Sequence, residues 1–285
     1  MIYLRRLFAL AVLSAGYFHG GAASNQNARL DAVFSFVEPG WQQGTFRIDR
    51  FMIAPERDIN TADWARAGGH YYANKAPLSI VLSAAAYTLI YNLERVFGLK
   101  PTAGGMQIAN SYLINFALSV TGFVLAVLMT FELMQMALTP LAAAALSLAL
   151  CLGTGLFPYS TQLWGHATAA AFVLAALVRL RAGTPSDSIW GGAWLAAALA
   201  TDYMAGLVAL GLTLTHVWKR PRRLPPMAAG ALAPLLIMLG YHWYCFGSPW
   251  TLATTYSNPA YIDPQLDIVG SSTAAARALF LLLAR

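Results

Sequence analysis

Charge is scarce in this chain. Asp, Glu, Lys and Arg together make up 11% of its 285 residues, against roughly 25% in soluble domains. Hydrophobic residues make up 58%, and the mean hydropathy is +0.54. That balance excludes an ordinary soluble domain and predicts a polytopic membrane protein. Cysteine is nearly absent. Cys151 and Cys245 each lie within or at the end of an apolar run, without Cys or His neighbours at ligand spacing. This excludes a zinc site or disulfide framework and leaves two buried free thiols as the expectation. Soluble-enzyme motifs are missing too: there is no glycine-rich phosphate loop, no Gly-x-Ser-x-Gly elbow and no His-Glu-x-x-His. The glycines at Gly20-Gly21 and Gly191-Gly192 adjoin apolar helices, where close packing accounts for them. The chain holds no internal repeat, low-complexity segment or heptad array.

The charge that is present is unbalanced, with a net value of +6. It is gathered in short clusters beside apolar runs: Arg5-Arg6, Arg179 with Arg181, and Lys219-Arg220-Pro221-Arg222-Arg223. Such flanks read as cytoplasmic anchors under the positive-inside rule rather than as a nucleic-acid surface. Arg5-Arg6, the apolar stretch Leu7–Tyr17 and Ala22-Ala23-Ser24 also fit a signal peptide. In a chain with many further apolar runs, an uncleaved first membrane helix is the expectation. Either way the segment that follows lies on the outer side.

Runs near the roughly 20 residues needed to cross a bilayer fall at 3–22, 78–97, 108–132, 139–158, 166–180, 188–217 and 225–246. The expected fold is therefore all-α, a transmembrane bundle of about seven or eight spans. Its expected parts are a first helix (1–22), an extracytoplasmic loop carrying amphipathic helices (23–77) and the remaining bundle (78–285). The run at 188–217 is long for one span and is interrupted by Thr201-Asp202-Tyr203, which predicts two helices meeting at Asp202. With the N-terminus inside, Arg95 and Lys100 lie inside, but Arg179 and Arg181 then fall on the wrong side unless one apolar run is re-entrant or 188–217 is a single span. The favoured arrangement keeps Arg179, Arg181 and 219–223 inside, with His166 and Asp202 outside beside the first loop. The final apolar run, Ala278–Ala284, covers about a third of a span, which predicts a longer membrane protein cut short.

The long hydrophilic insertion, 23–77, carries most of the titratable residues. Apolar positions 30, 33, 34 and 37 recur at helical spacing, which predicts an amphipathic helix at the membrane surface. Pro39-Gly40 ends it, and Gly44–Asp49 reads as extended or turn structure. Glu56, Arg57, Asp58, Arg47 and Arg50 read as a solvated loop, and Trp41 and Trp64 as packing or interfacial belt residues. The densest stretch, Asn60–Leu78, runs straight into an apolar helix. Lys75, just before that helix, is placed to hold an anion where water meets hydrocarbon and to neutralise a leaving phosphate. Snorkelling to the headgroups is the alternative.

Within that stretch, Gly69-His70-Tyr71-Tyr72-Ala73-Asn74-Lys75-Ala76-Pro77-Leu78 resembles the Gly-x-x-Tyr-Phe-x-Lys-Pro-Pro-Leu signature of bacterial membrane glycosyltransferases. These are relatives of protein O-mannosyltransferases and lipid A aminoarabinose transferases, in the C-type glycosyltransferase superfamily. The segments Leu156–His166 and Leu199–Tyr203 are similar to stretches common in its uncharacterised members. The resemblance implies transfer of a sugar from a polyprenyl-phosphate donor to a lipid, glycan or protein acceptor on the outer face of a bacterial inner membrane. No soluble cofactor is implied; a divalent metal is compatible, but no ligand cluster argues for one. Lys75, Arg29, Tyr71, Tyr72 and His70 would bind the donor phosphate.

The family's acidic residue after the first helix, often in Asp-Glu-x-Arg-Tyr, corresponds here to Gln26-Asn27-Ala28-Arg29-Leu30. The arginine is kept, but amides replace both acids and cannot take a proton. Asp31, Asp49 and Asp63 are the candidate bases, in that order; Asp63 is equally read as a helix cap. His166 and Asp202 are secondary candidates, since a carboxylate within a membrane segment needs a partner. Competing expectations are a transporter or flippase of a polyprenyl-linked substrate, and a non-catalytic fragment or assembly partner.

Overall fold

The structure, a computed structural model, describes residues 2–21, 23–52 and 61–259. Glu56, Arg57 and Asp58, Asn60, Ala22 and the run Ala278–Ala284 therefore lie outside the described residues. The chain is mostly helical. Helix α1 (Ile2–Tyr17) is followed by α2 (Ser24–Val37), a one-turn α3 (Asp49–Met52), strands β1 (Trp64–Ala67) and β2 (His70–Ala73), and α4 (Pro77–Val96). Next come α5 (Gly104–Asn115) and α6 (Thr121–Met134), joined through a π-helical turn into one continuous helix, Gly104–Met134. Then follow α7 (Pro140–Leu152), the short α8 (Leu156–Ser160), α9 (Gly165–Ala182), α10 (Pro185–Thr201), α11 (Ala205–Lys219) and α12 (Leu224–Phe246).

Among the described residues, three helical stretches are long and apolar enough to cross a membrane: Gly104–Met134, Gly165–Ala182 and Pro221–Phe246. Helices α1, α7, α10 and α11 pack against them. The chain does break at Asp202: α10 stops at Thr201 and α11 starts at Ala205. Close helix approach comes from small residues. A Cβ on Gly192 or Gly230 would strike the backbone of Met227 or Ile189, so α10 and α12 meet backbone to backbone there.

One end of the bundle gathers Arg5, Arg6, Arg179, Arg181 and the basic run after α11. The other end gathers the ends of α1, α10 and α12, the start of α9 and the described residues of 23–52 and 61–103. Hydrogen bonds fix that level. Tyr112 donates to the Gly16 carbonyl at 2.6 Å, Asn115 to the Ser160 carbonyl at 3.2 Å, and Gly20 N–H to the Thr161 carbonyl at 2.6 Å.

Helix α4 packs into a layer at this end; where a span was expected at 78–97, this helix is not among the stretches long and apolar enough to cross a membrane. Its first residue after Pro77, Leu78, packs on Ala197, Ala200 and Met238 at the ends of α10 and α12. From there Ile80, Ala84, Tyr87 and Tyr91 join one core with α2, the hairpin and Ile114 and Leu118. At its far end Glu94 accepts from Asn110 at 3.2 Å, a residue on the outer half of the long helix. The face of α4 turned into this core carries Ser79, Ser83, Tyr87 and Glu94 along with its apolar contacts, while Leu82, Leu89, Leu93 and Val96 stay exposed on the other side. Helix α2 also departs from expectation. Rather than lying on a membrane surface it is enclosed, with Gln26, Arg29 and Asp31 all buried. Its exit is anchored by Glu38, paired with Arg50 at 2.9 Å and accepting from Tyr87 at 3.0 Å.

The antiparallel hairpin β1–β2 is a second departure from an all-α fold. Gly68 (φ 56°) and Gly69 (φ 82°) form its turn in the left-handed region that the twist of a two-residue hairpin requires.

Candidate functional site

Two cations, Arg29 buried and Lys75 partly buried, face the helix bundle from the layer at this end. Arg29 sits on the first turns of α2 and is 4% exposed. Its Nε donates to Ser79 Oγ at 3.1 Å, and its Nη1 donates to the Asn25 carbonyl at 3.1 Å and to the Asn25 side chain. Burial draws its pKa down to about 10, against the opposing pull of Asp63 and Asp202. Lys75 lies in the turn between β2 and α4, where Pro77 opens the helix without needing a backbone donor. Its Nζ is 3.1 Å from Asp63 Oδ1. Burial lowers the ammonium pKa; Asp63 opposes that shift and nearby Arg29 adds to it. Asp63 caps no helix. It precedes β1, its N–H donating to Thr61 Oγ1 at 3.0 Å and its carbonyl accepting from Asn74 N–H at 3.3 Å.

The bundle supplies the other half. Asp202 closes α10, and its extended backbone turns the chain into α11. Its Oδ2 is 2.5 Å from His166 Nδ1, and Oδ1 accepts from Met204 N–H at 3.0 Å. Burial pushes the carboxyl up, but His166, Met204 and Arg29 together hold it below its usual value. His166 opens α9 with its ring edge-on to Tyr159 (4.7 Å) and Trp164 (5.9 Å). The imidazole donates from Nδ1 to the carboxylate, so in the neutral ring Nε2 keeps its lone pair. The His166 side chain is 40% exposed.

Beside this pair, Tyr203 Oη is 2.7 Å from His242 Nε2, and His242 Nδ1 is 3.2 Å from the Pro249 carbonyl. A carbonyl only accepts, so His242 carries its proton on Nδ1 and Tyr203 donates to Nε2. Burial raises the Tyr203 pKa, which keeps the phenol protonated.

The structure thus brings together Arg29, Asp63, Lys75, His166 and Asp202. The remaining candidates lie elsewhere. Asp49, 1% exposed, accepts from Gln42 Nε2 at 2.7 Å and Tyr71 N–H at 2.7 Å, and pairs with His70 Nδ1 at 2.9 Å. That carboxylate ties the start of α3 to β2, and it engages His70. Tyr71 packs edge-on to Trp64 at 5.2 Å, beneath the Arg66 guanidinium. Tyr72 is buried against Phe246, with Arg47 on its hydroxyl. Asp31 projects from the other face of α2, two residues from Arg29, into a cleft with Asn27, Gln107, Ser111, Phe34 and Phe51. Gln26, where the resembling family carries an acid, accepts from Leu163 N–H at 2.9 Å and fastens α2 to the loop before α9.

Sequence reading did not single out Ser79, Tyr203 or His242. The signal for Tyr203 was its place beside Asp202; nothing in the sequence marks His242, which its own apolar helix surrounds. Among the described residues no three His, Cys, Asp or Glu side chains come together at a distance that would hold a metal ion. No family model, curated protein or solved structure matches this chain.

Proposed function

We propose that this chain is an integral membrane glycosyltransferase that moves a sugar from a polyprenyl-phosphate donor to an acceptor hydroxyl on the outer face of the membrane. The observation that supports the reading is the pair of cations, Arg29 buried and Lys75 partly buried, at the end of the bundle opposite the basic clusters. Seven passes account for that arrangement: α1, α5–α6, α7, α9, α10, α11 and α12. With α4 outside the membrane, every basic cluster falls on one side, as the positive-inside rule requires. The paired cations then lie where a lipid-borne phosphate meets water.

In the reaction, the bond between the sugar's anomeric carbon and the phosphate oxygen breaks, and the phosphate leaves with the electron pair. Arg29 and Lys75 neutralise the developing charge in a site poor in water. Before donor binding, Asp63 neutralises Lys75, and the phosphate displaces it. The acceptor oxygen bonds to the anomeric carbon and its proton passes to His166 Nε2, while Asp202 orients the ring and stabilises the imidazolium. Asp49 is fully engaged with hydrogen-bond donors, and Asp31 faces a different cleft. The geometry therefore favours His166 over the loop aspartates as proton acceptor.

The test is sugar release or transfer from polyprenyl-phosphate sugars by purified full-length protein. Lys75→Ala is expected to lower turnover by about a hundredfold or more, and His166→Gln by about a hundredfold. Wild-type turnover in both variants would sink the proposal. Movement of the lipid across vesicles without sugar turnover would establish the transporter instead.

A further inference from the structure

At the opposite end of the bundle, a groove runs between α9 and α11. Leu177, Leu180 and Leu212 form its floor, and Arg181, Lys219 and Arg220 stand at its mouth. Arg220 also lines an adjoining cleft with Arg222 and Arg223, walled by Pro185, Pro221 and Pro226. The two spaces measure about 300 and 500 Å³ and share one guanidinium. That guanidinium lies where a Cβ on Gly183 would sit, so the glycine in the α9–α10 turn makes room for it.

The carboxylate near these clefts, Asp187, feels Arg179 and Arg223, and Arg181, Lys219 and Arg220 have no acidic partner among the described ion pairs. Asp187, the carboxylate on the adjoining turn, is occupied: it closes a capping box with Thr184 and sits 3.8 Å from Arg179. Inside the groove, His216 Nε2 is buried without a hydrogen-bond partner. A buried polar nitrogen left this way needs a ligand or water.

We infer that this groove binds one anionic phospholipid of the bilayer, its phosphate held by Arg181, Lys219 and Arg220 and one acyl chain laid along the leucine floor. Charge complementarity selects an anion, and the apolar floor selects one that brings hydrocarbon with it. A soluble phosphate or an acidic peptide would leave the leucines unused. Arginine forks suit phosphate oxygens, and basic pockets at the cytoplasmic ends of membrane helices match anionic headgroups. The inference is independent of the chemistry at the outer end; it requires only that α9 and α11 cross the membrane.

The test is lipid retention by the full-length protein, purified in detergent and weighed intact by native mass spectrometry. The samples are supplemented with phosphatidylglycerol or with phosphatidylcholine. One phosphatidylglycerol per chain is expected to survive delipidation, and phosphatidylcholine is not. Arg220→Gln is expected to lower retention by about tenfold, the loss of a charge-assisted contact, and Arg222→Gln by less. Arg5→Gln removes an equal charge at the same end, outside the groove, and is expected to retain lipid like wild type. Melting temperatures read on the same samples separate loss of lipid from loss of fold. Equal retention of both lipids would overturn the inference. So would release of phosphatidylglycerol by millimolar inorganic phosphate, or an Arg5→Gln effect as large as that of Arg220→Gln.

Discussion

Residues 29, 63, 75 and 202 place charge close together in a largely enclosed site, where each is offset by an oppositely charged neighbour. Lys75 is the clearest case. Burial holds its pKa below the unfolded value of about 10.4. Between those two values the unfolded chain binds the extra proton, so stability rises with pH in that window. Below the folded value the chain carries the full cost of a charged, partly buried ammonium. Removing one partner of such a pair exposes the other's desolvation, so Asp63→Asn should cost about 3 kcal/mol. The double variant Lys75→Met/Asp63→Leu should cost less than Asp63→Asn alone, which thermal unfolding of each in one detergent would show. A larger loss in the double variant would mean that the pair stabilises the fold outright. Asp202 behaves oppositely. Its folded pKa lies below the unfolded value of about 3.9, so its contribution is complete above that value and disappears as pH falls through the folded one. The acid limb of a stability-against-pH profile below about pH 4 should therefore flatten in Asp202→Asn. An unchanged limb would show that His166 contributes no stabilising pair.

Elements are held apart or together by single atoms. Helices α10 and α12 touch through Gly230, where an added Cβ would meet the Ile189 carbonyl, whereas one on Gly240 would meet nothing within 4 Å. Gly230→Val should destabilise by about 1–3 kcal/mol through overpacking. Gly240→Ala should raise stability by about 0.5 kcal/mol, since alanine orders a helix at lower entropic cost. Melting temperatures of the two variants, moving in opposite directions, would check the packing. Most helices were legible in the sequence because their apolar runs are long and end at breakers such as Gly183 or Thr139-Pro140. The hairpin was not: Trp64–Ala67 and His70–Ala73 lack clean alternation, leaving Gly68-Gly69 as the one usable signal. Helix α4 misled for a different reason. Its run is about as long as a span, but Ser79, Ser83, Tyr87 and Glu94 form a buried polar stripe that length does not register.

At the scale of the molecule, the proposed seven-pass arrangement, with α4 outside the membrane, decides which side each loop occupies. Single cysteines at Lys100 and Arg66, introduced with Cys151 and Cys245 replaced, should react with a membrane-impermeant thiol reagent from the same side. One at Arg222 should react only from the other. Labelling of Lys100→Cys together with Arg222→Cys would restore α4 as a span and undo the seven-pass arrangement. The same geometry brings the two halves of the site together. The outer layer holds Arg29, Asp63 and Lys75 over the ends of α9 and α10, which hold His166 and Asp202.

Composition, run length and charge clusters were enough to predict a mostly helical chain with helices apolar enough to cross a membrane, a basic cluster pattern and one long polar segment, because hydropathy and helical period are local properties. They also marked Lys75 and the break at Asp202, while Arg29 was marked by the resemblance. Which carboxylate meets which cation was settled by the packing alone. Asp63 and Asp49 both lie in the first loop, yet one faces Lys75 and the other is consumed by Gln42, Tyr71 and His70. His166 and Asp202 are 36 positions apart and meet at 2.5 Å. Burial and pairing depend on distances through space between segments remote in the chain, and no local pattern encodes them.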